Sequence, residues 1–129
     1  MIYLDSSVVL AQLLAEERHP GDDLWSQPLV SSRLLEYEVW NRIHAYRAGV
    51  SHAEEVRWVL DRIAFLELTP PVLARALEPY PNRVRTLDAL HLASVLFLQA
   101  QGQTVRLASY DARLLDSAKR LKIPAFEPR

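Results

Sequence analysis

The chain has no cysteine and only three glycines, at positions 21, 49 and 102. Without cysteine there can be no disulfide, no thiolate zinc site and no thiol nucleophile, so any bound metal must rest on oxygen or imidazole. Three scattered glycines cannot build a glycine-rich phosphate loop, which excludes nucleotide-dependent phosphoryl transfer of the P-loop kind. Long apolar runs are also missing. None approaches the roughly 18 residues of a membrane helix, and the start MIYLDSSVVL carries an acid too early for a secretory signal. A soluble, cytoplasmic protein is expected.

Charge of one sign is lacking too. The net charge is −1 and the pI is near 6.4, unlike a strongly basic nucleic-acid-binding domain. Yet of the 15 basic residues only Lys119 and Lys122 are lysines. The rest are arginine, whose planar fork suits bidentate contact with phosphate or carboxylate, although compositional bias explains the same count. What the chain does have is apolar surface. Half of its 129 residues are hydrophobic, enough to bury one core without staples, and a single domain over 1–129 is expected.

The pattern alternates strands and helices. Met1 to Leu4 is an apolar strand, Asp5-Ser6-Ser7 a polar turn, and Val8 to Glu16 a helix. Leu29 to Ser31 reads as a second strand. A long amphipathic helix runs from Arg33 to Arg47, with Leu35, Val39, Ile43 and Tyr46 at helical spacing and Gly49 as its stop. Ser51 is expected to cap a helix reaching Ile63, Phe65 to Leu68 to form a strand, and Pro70-Pro71 to open a short helix. Glu78 to Arg85 is the one linker-like stretch, too short to separate domains. Thr86 to Gln101 is nearly all apolar and reads as a helix buried on most sides, ended by Gly102. Thr104 to Ala108 is a strand, Ala112 to Leu121 the last helix, and Ile123 to Phe126 a final edge strand. Such alternation predicts an α/β fold with a mostly parallel sheet of four or five strands, covered on both faces.

Two aspartates occupy matching places in that scheme: Asp5 follows the first strand and Asp111 follows Thr104 to Ala108. Ligands of open parallel sheets bind beyond the carboxyl ends of the strands, so both acids should meet in one cleft. Asp88 is the only acid in the apolar stretch Thr86 to Ala100, and a carboxylate there needs a partner or a cation. Each acid also has a structural reading. Asp5 and Asp111 could cap helices and Asp88 could complement a helix dipole. Together, acids crowding one cleft repel unless a divalent ion neutralises them. Oxygen-only ligands point to magnesium or manganese, and such a site hydrolyses phosphodiesters.

The pieces MIYLDSS, SSRLLEYEVWNRI, VRTLDALHLASVL and SYDARLLDSAKRLKI, in this order and at these separations, resemble the PIN domain, and specifically the VapC toxins of bacterial and archaeal toxin–antitoxin modules. The likeness spans the whole chain, with LDALHLAS its most specific piece. It implies a three-layer α/β/α fold. It also implies an acidic quartet at Asp5, Glu38, Asp88 and Asp111 that coordinates Mg2+ or Mn2+. For the glutamate, Glu36 and Glu38 both border the apolar face of their helix, and geometry does not choose. Glu38 is preferred because the family's glutamate is typically followed by a small aliphatic, here Val39. Ser6 and Ser109 match the family's hydroxyl positions, with an implied role of holding a ligand or metal-bound water; helix capping is compatible with that role. His91, one turn after Asp88, is read as structural in preference to metal ligation or proton transfer.

The resemblance implies endonucleolytic hydrolysis of RNA to a 5'-phosphate and a 3'-hydroxyl, with a homodimer and a cognate antitoxin as partners. Arg33, Arg42, Arg85 and Arg113 lie near the acidic motifs and are candidates for phosphate contacts. Trp25, Trp40 and Trp58 are candidate interface anchors, core packing being the other reading. Three rivals are weighed. A catalytically silent PIN domain serving as an RNA- or protein-binding module would be marked by loss of an acid, and all four positions are filled. A phosphoacceptor or small-ligand domain wants a lysine or threonine late in the sheet, where only Lys119 and Lys122 stand, in the terminal helix region. A DNA-directed nuclease would be separated by competition between RNA and single-stranded DNA.

Overall fold

A computed structural model describes residues 1–129. The first strand, β1 (Ile2–Leu4), is buried along its whole length and lies in the middle of a four-stranded sheet of order β3-β2-β1-β4. Its neighbours are β2 (Leu29–Ser32) and β4 (Arg106–Ala108), with β3 (Ile63–Leu66) beyond β2, and every pairing is parallel. The period-2 alternation of a strand divides these residues between two cores. Ile2, Leu4, Leu29 and Ala108 face one layer, where they pack on Val8 and Val9 of α1 (Ser6–Leu13), Leu35 and Val39 of α3 (Arg33–Ala45), and Val56 and Val59 of α4 (Ala53–Leu60). Tyr3, Val30 and Leu107 face the other, against Leu92 and Val95 of α6 (Thr86–Ala100) and Leu114 and Ala118 of α7 (Ala112–Arg120). The result is the expected three-layer α/β/α arrangement, with four strands.

The chain moves outward from β1 through β2 to β3, then crosses back to place β4 on the opposite side of β1. The order reverses between β1 and β4, and a crevice opens there beyond the strand ends. Asp5 N–H donates to Ala108 O at 3.1 Å, which ties the two strand ends together.

Several boundaries differ from expectation. The third strand is Ile63–Leu66 rather than Phe65 to Leu68, and α4 stops at Leu60. Val56, Val59, Leu60 and Ile63 are spaced as one helical stripe, so periodicity alone carries the helix into the strand. The expected final strand, Ile123 to Phe126, shrinks to one bridge, Leu107 to Ala125. Pro124 and Pro128 have no N–H to extend a ladder. A four-residue helix, α2 (Asp22–Trp25), was not foreseen. Helix α3 ends at Ala45, and Arg47 rather than Gly49 takes the left-handed conformation. His52, not Ser51, occupies the N-cap of α4. Pro70 and Pro71 open α5 (Pro70–Ala76) as expected. Helix α6 buries only His91 to Val95, and Leu87 in its first turn is exposed, so it is less enclosed than its composition suggests. At its end Gly102, at φ 88°, adopts a conformation that side-chain-bearing residues rarely take.

Candidate active site

Four expected carboxylates line one cavity of about 720 Å3 at this crevice, Asp5 after β1, Glu38 on α3, Asp88 on α6 and Asp111 before α7, and Glu16, beyond α1, lines it as a fifth. Asp5 is 6% exposed. It stands at the N-cap position of α1 but makes no capping hydrogen bond, which removes its structural reading. Its Oδ2 instead accepts from Ser7 Oγ at 2.7 Å and Ser109 Oγ at 2.8 Å. Those hydroxyls accept in turn from backbone N–H groups of the β4–α7 turn, Tyr110 to Ser7 at 3.0 Å and Asp111 to Ser109 at 2.9 Å. Ser6, expected to hold a ligand or metal-bound water, lines the cavity, while the hydroxyl bonded to Asp5 is that of Ser7. Sequence gives no reason to choose between adjacent serines; the helical phase of α1 does.

Asp111 combines both readings. Its Oδ1 caps α7, accepting from Arg113 N at 2.9 Å and Leu114 N at 3.3 Å, while its Oδ2 accepts from Arg85 Nη2 at 2.7 Å. The same Nη2 lies 2.9 Å from Asp88 Oδ2, and Arg85 Nε donates to that oxygen as well, at 2.9 Å. The hydrogen bond to Asp88, then its charge, then Asp111, hold the Arg85 guanidinium above its ordinary pKa.

Glu38 and Glu36 are separated by the structure. Glu38 faces the cavity, and its Oε1 lies 2.6 Å from His91 Nε2. Glu36 points elsewhere and pairs with Arg33 at 3.2 Å. His91 is 1% exposed and also contacts the Tyr3 hydroxyl through Nδ1 at 2.7 Å. Burial pushes the imidazole down, but Tyr3, the Glu38 carboxylate and Asp5 outweigh it and push it up to about 10. With both ring nitrogens engaged, His91 is no free ligand, in line with its structural reading.

The arginine candidates divide as well. Arg42 and Arg85 line the acidic cavity. Arg85 and Arg113 line a second cavity of about 630 Å3 that adjoins the first through Arg85, Thr86 and Asp88. Arg33 lies in neither; it is held by Glu36 and Glu67 and stacks on Phe65. Two cavity arginines went unnoticed in the sequence. Arg83 lines the second cavity, and Arg18 reaches the first by folding over the Tyr110 ring, 4.6 Å from its centroid. No periodicity marks either one. Of the tryptophans, Trp25 is buried and Trp40 packs against the core and stacks on His44. Only Trp58 is exposed, at 53%, with the Arg62 guanidinium over its ring 4.7 Å from the centroid.

The donor set suits a hard divalent cation, since it is all oxygen. Asp5 Oδ1, Glu38 Oε2 and Asp88 Oδ1 accept no hydrogen bond from the protein. The acids are nevertheless not drawn around one point, and no three acidic or histidine side chains are gathered closely enough to hold an ion. Each already has a counter-group: the serines for Asp5, His91 for Glu38, and Arg85 for Asp88 and Asp111. Arg85 is 57% exposed on the side chain, so water reaches the guanidinium that pairs with Asp88 and Asp111.

Residues 2–121 match the family model of the PIN domain. The chain is 34% identical over 134 residues to Ribonuclease VapC46 of Mycobacterium tuberculosis (strain ATCC 25618 / H37Rv), covering 98% of this chain and 97% of that protein. It is 28% identical over 135 residues to Ribonuclease VapC47 of Mycobacterium tuberculosis (strain CDC 1551 / Oshkosh), covering 99% and 97%. Ribonuclease VapC35 of the same species is 28% identical over 134 residues. With its sheet order, its acidic crevice and these relatives, the chain belongs to the PIN-domain family.

Proposed function

We propose that this protein is a metal-dependent endoribonuclease and the toxin of a type II toxin–antitoxin pair, acting in the cytoplasm. The observation that carries the reading is that Asp5, Glu38, Asp88 and Asp111 all line one cavity together with Arg18, Arg42 and Arg85, in a chain whose relatives are named ribonucleases. These four side chains would hold Mg2+ or Mn2+, an ion that activates water and neutralises charge on a phosphoryl group.

The chain's own residues position and bind. Ser7 and Ser109 hold Asp5 against the β4–α7 turn, so that its free oxygen meets the ligand with little to reorganise. Arg85 and Arg113, both lining the second cavity, would contact phosphates of the strand. Capping by Asp111 fixes α7, and with it Arg113, relative to the acids. The products would carry a 5'-phosphate and a 3'-hydroxyl. The partners proposed with this reading are an RNA, a cognate antitoxin that covers the acidic cavity, and a second copy of the chain.

The test is cleavage of total RNA by purified protein with Mn2+ or Mg2+, alongside Asp5→Asn, Glu38→Gln and Asp88→Asn. Cutting that needs the metal and is lost in all three variants supports the reading. Equal cutting by every variant, or none by the parent, would sink it and leave a binding module.

A further inference from the structure

We propose that His91, backed by Tyr3, is a positioning residue that fixes the Glu38 carboxylate in the cleft and so makes Glu38, not Glu36, the ligand-bearing glutamate of α3. The proposal rests on the metal-dependent reading above.

The supporting structure is a buried chain of hydrogen bonds across four elements. Ser32 N–H, at the end of β2, donates to the Tyr3 hydroxyl at 3.1 Å. Tyr3, on β1 and fully buried, contacts His91 Nδ1 at 2.7 Å. His91, on α6, contacts Glu38 Oε1 at 2.6 Å through Nε2. The two rings meet edge to face, with centroids 5.7 Å apart and planes at 79°. An imidazole with both nitrogens bonded and no exposed surface has one available orientation. It therefore transmits the position of the sheet to the carboxylate.

Only one oxygen of Glu38 is used in this way, and Oε2, which accepts no hydrogen bond, is left for the cavity. Glu36 lies two residues earlier, about 200° around the helix, and has no comparable tether; its partner Arg33 is shared with Glu67 near the surface. Both glutamates border the apolar face of α3, so helix geometry alone does not choose between them. What distinguishes them is that one of them meets a buried donor.

Because His91 has no free nitrogen and no exposed surface, it acts through Glu38 and touches neither ligand nor substrate. Loss of a partner that orients a metal ligand lowers metal affinity by about 10- to 100-fold.

The experiment is Mn2+ titration by calorimetry on the full chain without RNA, with thermal unfolding to show that each variant is folded. His91→Leu is expected to weaken Mn2+ binding by about 10- to 100-fold. His91→Gln should recover most of the loss, since its side-chain amide can donate to Glu38 from a similar place. Glu36→Gln should match the parent, and Tyr3→Phe, which deletes only the hydroxyl, should fall between parent and His91→Leu. A folded His91→Leu that binds as tightly as the parent overturns the proposal, as does a Glu36→Gln loss equal to that of Glu38→Gln. If His91→Leu does not fold, Tyr3→Phe decides: parental affinity overturns the proposal and weakened affinity supports it. A parent that binds no Mn2+ overturns the metal reading itself. A parent that binds, loses binding in Asp5→Asn and keeps it in His91→Leu overturns only the role of His91.

Discussion

Arg85 reaches across 26 residues of sequence to place Nη2 2.7 Å from Asp111 Oδ2, and the same nitrogen serves Asp88 at 2.9 Å. A guanidinium thus stands between two acids that would otherwise repel. Replacing it should have opposite effects on Mn2+ binding and on RNA binding. Arg85→Gln is expected to bind Mn2+ several-fold more tightly, because an internal competitor is gone, and to bind RNA more weakly. Calorimetry with Mn2+ and filter binding with a catalytically dead Asp5→Asn background measure the two. Unchanged Mn2+ affinity would show that the pair does not oppose the ion.

The arginines that line the second cavity can be set against one that does not. Arg113→Glu should weaken RNA binding and lower the salt dependence of log K by about one unit of slope per lost phosphate contact. Arg33→Glu should leave both unchanged, since Arg33 is tied to Glu36 and Glu67 outside the cavities. Titrations at several salt concentrations distinguish the outcomes.

Ser109 bonds in two directions, to Asp5 Oδ2 and from Asp111 N. Ser109→Ala leaves that partly buried N–H without its protein partner and removes one donor from a buried carboxylate. The expected cost is about 1–3 kcal/mol of stability by urea unfolding. Ser7→Ala and Ser109→Ala should combine non-additively, since both act on one oxygen of Asp5. Strict additivity would mean that the two hydroxyls act independently.

The His91 imidazole has a folded pKa of about 10, raised from 6.5. For a cationic group the raised value favours the folded state. That contribution is fully present below pH 6.5, declines as the pH rises through the interval, and is lost above about 10. Urea midpoints of the parent should therefore fall between pH 6.5 and 10 more steeply than those of His91→Gln. Parallel profiles would mean that His91 is neutral in the folded protein.

Much of the fold was legible because the strands of a buried parallel sheet read as short apolar runs between amphipathic helices. Asp5 and Asp111 could be placed in one crevice from their positions after β1 and β4 alone. What failed had local causes. Ile63 continues a helical stripe, so the start of β3 was hidden; the tail looked like a strand until its prolines met a ladder they could not extend. In the site, the choice between Glu36 and Glu38 depends on where α6 delivers His91, a long-range fact that α3 does not encode. Ser7 and Arg18 were missed for the same reason: each is defined by a partner in the β4–α7 turn.

The pairing of β1 with β4 joins segments that are distant in sequence, with Ile2 set against Arg106. Asp5 and its partner Ser109 are 104 residues apart, and β1 has no neighbour on that side until Arg106–Ala108 is available. A chain still emerging from the ribosome lacks Asp111, the second serine and the edge against which Asp5 is set. The cleft is thus a late product of folding: it cannot be assembled from any local segment, because Asp5 needs Ser109 and Asp88 shares Arg85 with Asp111.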